Sequence, residues 1–216
     1  MTRPVESSIT CEEYPVSQLS DVVQDEFASR EYRPTAIVTC VRAGGNLPGV
    51  QVAVVIPNHG TKWGLPQGGI ETTDVNVSAT ARRELKEEIG LGSYDIMYAR
   101  PTGSAIRVTK PATEQVRDGY VRGGLYFPVA AIATTDAQTR PLDGIWSAGW
   151  LSLPCFAEDV VEQHMAQPTS RTTRTITTLH STLPLISEVL LERNPPLFAQ
   201  QDIELATQVL KPAVSV

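Results

Sequence analysis

Between Trp63 and Leu91 the chain reads WGLPQGGIETTDVNVSATARRELKEEIGL, a short apolar lead-in that runs into paired glycines and then into a strongly periodic stretch. Val77, Ala81, Leu85 and Ile89 fall four apart, so a helix over 76–89 carries them as one stripe facing a core. Glu84, Glu87 and Glu88 are spaced i, i+3, i+4 and share a face of that helix. Like charges four apart on a helix cost about 0.2–0.5 kcal/mol. Arg82, Arg83 and Lys86 offset this if the face is only a solvated, salt-bridged surface. The glycines shift the reading toward chemistry. Gly68 and Gly69 permit a tight turn whose backbone approaches a ligand or metal closely, and Gln67 sets a neutral amide at its lip. Hard divalent cations take oxygen ligands, carboxylates completed by water and substrate phosphates, and a glycine turn beside a carboxylate-bearing helix suits them. Gly90 fits the left-handed position that ends the helix.

Composition narrows the class. A chain of 216 residues, 41% of them hydrophobic, is long enough to bury one core and carry a small appendage. Eighteen basic against twenty-four acidic residues, a formal charge of -6, argue against a broad basic surface for DNA and leave room for a local basic pocket. No apolar run reaches the about 18–20 residues of a bilayer-spanning helix, and the opening MTRPVESSITCEEYP lacks the apolar core of a signal peptide. A cytoplasmic protein with no membrane contact is therefore expected. Cys11, Cys40 and Cys155 are scattered without a C-x-x-C pair, and His59, His164 and His180 show no ligand spacing. Neither a disulfide framework nor a zinc site follows from them.

Elsewhere, β-branched runs between turn residues predict strands over 36–42, 50–57, 94–102, 120–133 and 149–153. Helical spacing predicts helices over 16–29, 154–165 and 183–193 besides the one over 76–89. The elements interleave without strict alternation, which favours an α/β fold with a mixed sheet and helices on its faces over a doubly wound parallel one. No repeat is visible, so solenoids and propellers drop out. The organisation expected is an N-terminal extension over 1–34, a main domain over 35–167 and a C-terminal helical tail over 168–216 packed on the same domain. The threonine-rich stretch TSRTTRTITTLHST (169–182) reads either as a polar connector or as an exposed helix, because Ser and Thr compete for backbone hydrogen bonds. Within it, Arg171 and Arg174 are candidates to reach a phosphate.

The segment around the carboxylates resembles the signature of the Nudix hydrolases, G-x5-E-x7-R-E-U-x-E-E-x-G-U, where U is aliphatic. Its second half matches at Arg83, Glu84, Leu85, Glu87, Glu88, Gly90 and Leu91. The resemblance implies a Nudix-like α/β/α sandwich, here with a C-terminal helical extension. The first half departs from the pattern. Counted back from Arg83, the glycine is Gly69 but the glutamate position holds Val75. If Gly68 starts the motif, as in members carrying PQGG, the acid is Asp74 and its spacer to Arg83 is one residue longer. In the family this glutamate pairs with the motif arginine and supports or joins the metal shell. Two roles stay open for Asp74, that one and the N-cap of the helix. Glu71 is a second candidate for the shell.

Nudix enzymes hydrolyse a nucleoside diphosphate linked to another moiety, using Mg²⁺ or Mn²⁺. Carried over, the resemblance implies Glu84, Glu87 and Glu88 as metal ligands, the Gly68 carbonyl completing coordination, and Arg83 orienting a carboxylate from behind. Glu84 or Glu87 would act as base through a metal-bound water, with Glu114 as the candidate if a loop glutamate serves instead. LPQGG is similar to the version in diadenosine polyphosphate hydrolases and RNA 5′-pyrophosphohydrolases, and YVRGGLYFPV faintly resembles a strand of those groups. That implies Arg122 on phosphate, Tyr126 stacked on a base and Lys62 lining the cleft, with Trp63 read as core. The function expected is metal-dependent hydrolysis of a dinucleoside polyphosphate or similar nucleotide. The alternative, which Val75 favours, is a Nudix-fold nucleotide-binding or sensing protein with weak or no hydrolysis. The tail would cap the cleft or build a homodimer interface.

Overall fold

A computed structural model of the chain describes residues 10–15, 19–44, 49–58, 60–109, 119–120, 122–142, 144–192 and 197–214. In chain order these form β1 (Thr10–Pro15), α1 (Leu19–Ser29), β2 (Tyr32–Ala43), β3 (Val50–Pro57), β4 (Gln67–Gly69), α2 (Val77–Ile89), β5 (Ile96–Pro101), β6 (Ser104–Thr109), β7 (Gly123–Ala133), β8 (Ile145–Ser152), α3 (Leu153–Ala166), α4 (Ser170–Glu192) and α5 (Leu197–Val214). The strands make one sheet with the path β1-β6-β7-β2-β3-β8, while β4 pairs with β2 and β5 with β7. β2 and β7 run parallel at its centre and the other pairings are antiparallel, so the sheet is mixed.

Both central strands are buried along nearly their whole length, as strands covered on two faces must be. Alternation sorts their side chains. Ala36, Val38 and Cys40 of β2 join Val23 of α1 and Val77, Ala81, Leu85 and Ile89 of α2 in one core. Ile37 and Val41 join Leu153 and Phe156 of α3, Ile176 and Leu179 of α4 and Ala206 of α5 in the other. The result is an α/β/α sandwich with its C-terminal helices forming one whole layer. Asp202 of α5 accepts a hydrogen bond from the Val50 amide at 2.7 Å, which ties that layer to the start of β3. No helix among the described residues is long and apolar enough to cross a membrane.

Two local findings differ from the sequence reading. The N-cap of α2 is Asn76, whose side chain accepts from the Ala79 amide at 2.9 Å, so Asp74 is not the cap. At the other end Gly90 has φ 74° and a Schellman pairing, with Leu91 N–H on the Leu85 carbonyl. The threonine-rich stretch is neither connector nor exposed helix: it is the first half of α4, with Thr172, Thr175, Thr178 and Thr182 buried. Several of its hydroxyls turn back onto the helix's own carbonyls, Thr177 on Thr173 at 3.0 Å and Thr182 on Thr178 at 2.7 Å. Their methyl groups then pack as small β-branched core residues, and Thr182 also donates to Thr39 of β2 at 2.9 Å. β1, β4 and β6 are absent from the sequence reading, α5 is expected there only as part of the helical tail, and β8 starts at Ile145, ahead of the predicted strand.

Candidate active site

β4 is only three residues long, yet it fixes the site. Its antiparallel pairing sets Gln67, Gly68 and Gly69 beside Ile37, Ala36 and Thr35 at the centre of the sheet. The Val38 amide donates to the Pro66 carbonyl at 2.9 Å and the Ile70 amide to the Pro34 carbonyl at 3.0 Å, extending the clamp at both ends. α2 then lays its carboxylates against this edge. Glu84 is buried with its carboxylate directly on Gly68, where an added Cβ would occupy the same space. Glu88 accepts from the Gln67 amide at 3.0 Å. Gly68 is therefore required for close approach rather than for a special backbone angle.

Arg83 ties the acidic groups together. Its guanidinium donates to Glu84 at 2.6 Å, to Glu87 at 2.9 Å, to the Gly69 carbonyl at 2.7 Å and to Asp74 at 2.9 and 3.3 Å. Glu71 lies 3.6 Å away as a further, exposed ion partner. Asp74 accepts also from the Glu71 amide at 3.0 Å and the Thr80 hydroxyl at 2.9 Å. Both its oxygens are thus engaged by the protein, whereas Val75, at the position of the motif glutamate, points to solvent with 89% exposure.

The charges respond accordingly. Burial pushes the Asp74 carboxyl up, but the hydrogen bonds and charge of Arg83, with those from Glu71 and Thr80, outweigh it and hold the group below the usual carboxylate range. Through its bond to Asp74 foremost, and despite desolvation, Arg83 holds its proton more firmly than a free arginine. Burial raises Glu84 against the pull of Arg83. Glu88 is pushed up to about 8, mainly by burial and then by the charges of Glu84 and Glu87, with the Gln67 amide opposing.

A cleft of about 820 Å³ opens here, with Gln67, Gly68 and Glu88 on its wall. Arg33, Tyr126, Arg171 and Arg174 line it as well. Among the described residues no three Asp, Glu, His or Cys side chains converge as a formed metal cluster. The donor set nevertheless suits a hard cation: all its atoms are oxygens, Glu84 and Glu88 repel one another in a buried place, and the Gln67 side-chain oxygen is buried with no hydrogen-bond partner.

Of the residues singled out in the sequence, Arg83, Glu84, Glu87, Glu88, Gly68, Asp74 and Glu71 are brought together. Only Glu88 and Gly68 of these line the large cleft; Glu87 lies on a smaller hollow with Arg82, Arg83 and Lys86. Tyr126 lines the cleft, but its ring carries the Arg174 guanidinium 4.1 Å from the centroid. Arg122 is on the surface, 3.4 Å from Glu31, away from the cleft lining. Lys62 contributes its carbonyl, which accepts from Arg171 at 2.7 Å, while the residue itself is exposed. Trp63 is half-buried against the second core. Glu114 falls outside the described residues. Arg33 and Thr175 line the cleft without any sequence signal, since only the pairing of β2 and the burial of α4 bring them there.

A family model described as the NUDIX domain matches residues 31–153, more than half of the chain, and the chain belongs to that family. Solved structures resemble it at low identity. An Ap4A hydrolase from C. elegans in a binary complex is 11% identical with a TM-score of 0.45, covering 72% of this chain and 98% of that one. The Bacillus subtilis pyrophosphohydrolase BsRppH is 12% identical with a TM-score of 0.43, covering 66% and 72%. The NUDIX domain of Shewanella oneidensis NrtR, complexed with ADP ribose, is 15% identical with a TM-score of 0.39, covering 68% and 98%. No curated protein matches the chain at a significant level.

Proposed function

We propose that the chain is a metal-dependent pyrophosphohydrolase, cutting a diphosphate linkage in a nucleoside diphosphate joined to another moiety, such as a dinucleoside polyphosphate. The observation that carries this is the contact between α2 and β4: Glu84 and Glu88 against Gly68 and Gln67, at the wall of a cleft whose other residues include three arginines. Glu84, Glu87, Glu88 and the Gly68 carbonyl would hold Mg²⁺ or Mn²⁺. When bound, such an ion neutralises phosphate oxygens and lowers the pKa of a coordinated water. Arg83 fixes the rotamers of Glu84 and Glu87 and is itself fixed by Asp74 and the Gly69 carbonyl. We assign Asp74 the positioning role of the motif glutamate, with Glu71 as an outer partner of the same arginine. Glu87, the most exposed of the carboxylates on α2, keeps a free oxygen for water and is the base candidate within the described residues.

A second reading has a specific observation behind it. Val75 stands where the motif glutamate would, and Arg83 occupies two of the carboxylates on α2, Glu84 and Glu87, which suits a protein that binds a nucleotide without cutting it. Glu87→Gln separates the two. In the hydrolase it lowers turnover by about a hundredfold or more while the circular dichroism spectrum is unchanged. In the binder it alters nucleotide affinity and nothing else, and unchanged turnover in the variant would remove Glu87 from the site.

A further inference from the structure

The cleft is more basic than a chain of net charge -6 would suggest. Arg33, Arg171 and Arg174 line it, and Glu88 is the one acidic side chain among its described lining residues. Two of the arginines belong to α4, which lies beyond the segment matched by the family model. Arg174 is 9% exposed, stacks on Tyr126, and has a buried Nε with no hydrogen-bond partner. Arg171 crosses the backbone of Gly64, where a Cβ would lie 2.6 Å from its terminal nitrogen, and it holds the Lys62 carbonyl at 2.7 Å. Burial foremost, and then the neighbouring charge of Arg174, pushes its pKa down.

Two adjacent cations have thus been taken partly out of water, with no carboxylate paired to either among the described residues. Burying charge without a counter-charge is unfavourable, so such a pair is complete only when an anion joins it. Guanidinium groups also present the forked donors that match phosphate oxygens. The stack on Tyr126 and the bond to Lys62 hold both side chains in place before any ligand arrives.

We infer that Arg171 and Arg174 form a phosphate-binding subsite, by which α4 selects substrates carrying an anionic group beyond the phosphates held at the carboxylate helix. The ligand class is a nucleotide with an extended polyphosphate chain or a second, terminal phosphate. This rests on the reading of the cleft as the nucleotide site, but the subsite is testable without turnover.

The probe is inorganic tripolyphosphate, titrated by calorimetry into the full chain in excess chelator, with Arg171→Gln, Arg174→Gln and Arg171→Lys compared. The wild type binds, and each glutamine variant weakens binding by about tenfold or more, the loss expected for one charge-assisted contact. Arg171→Lys keeps the charge and retains an intermediate affinity. Melting curves run alongside; if Arg174→Gln does not fold, Arg171→Gln decides, because its side chain is less buried. Absence of binding by the wild type, or binding by both glutamine variants as tight as that of the wild type, overturns the subsite. With a nucleotide that is turned over, the variants raise KM and leave kcat, and an unchanged KM overturns the subsite while the hydrolase reading stands. Tripolyphosphate binding lost in the variants, in a chain that cuts no nucleotide, supports the subsite and removes the hydrolase reading.

Discussion

Asp74 reaches Arg83 from a turn, one residue ahead of the position that Val75 holds. It stands nine positions before Arg83, outside the helix, in a turn where Asp74 N–H bonds the Glu71 carbonyl at 3.0 Å. The turn absorbs the extra residue, so the shorter aspartate reaches the guanidinium that Val75, facing solvent, does not. In the sequence the two candidates were legible and the choice was not, because the direction of a side chain in a turn depends on the fold around it. Asp74→Asn removes a charge-assisted pair and is expected to cost about 1–3 kcal/mol, read by urea denaturation. The acid limb supplies a second reading of the same contact. The folded-state pKa of Asp74 is depressed, so its contribution is present above the unfolded value, about 3.9, and is lost as pH falls through the folded value. Wild type should therefore lose stability below about pH 4 more steeply than Asp74→Asn, and parallel curves would deny the pairing.

Among the elements, α2 was the most legible, whereas only the second half of α4 was legible as a helix. Four-residue spacing and Gly90 agree for α2, and the structure gives it bounds within a residue of those expected, with Asn76 rather than Asp74 as its cap. For α4, seven threonines between 169 and 182 disguise a buried helix, since several of their hydroxyls satisfy themselves on the preceding turn. β4 escapes detection for another reason: three residues carry no periodicity, and only the pairing with β2 makes them a strand. Both elements matter to the site. Gly68→Ala forces the Glu84 carboxylate off the β4 edge; a displacement of about 1 Å costs about a hundredfold in rate, so turnover falls by that order while the melting temperature changes little. Leu179→Ala opens a cavity in the layer shared by α3, α4 and α5 and is expected to cost about 2–5 kcal/mol by denaturant titration. A cost near zero would make the C-terminal helices an appendage to the sandwich.

For the molecule as a whole, the fold class followed from composition, element order and one motif, whereas the topology did not. The pairing of β1 with β6 joins Thr10 to Thr109, and the parallel contact of β2 with β7 joins Tyr32 to Gly123. Neither is written in local propensity. The same long-range pairings bring Arg33 and the α4 arginines to the cleft and leave Arg122 on the surface. An acidic protein thus concentrates positive charge beside a buried acidic face, the arrangement a metal-assisted phosphate chemistry asks for. The most direct measurement of that claim is product release from a panel of dinucleoside polyphosphates, nucleotide sugars, nucleoside triphosphates and 5′-triphosphorylated RNA, in Mg²⁺, in Mn²⁺ and in excess chelator. Release from at least one class that needs the metal and stops with chelator is the predicted result. Nucleotide binding with no release from any class, in either metal, would contradict the account and make the chain a binder.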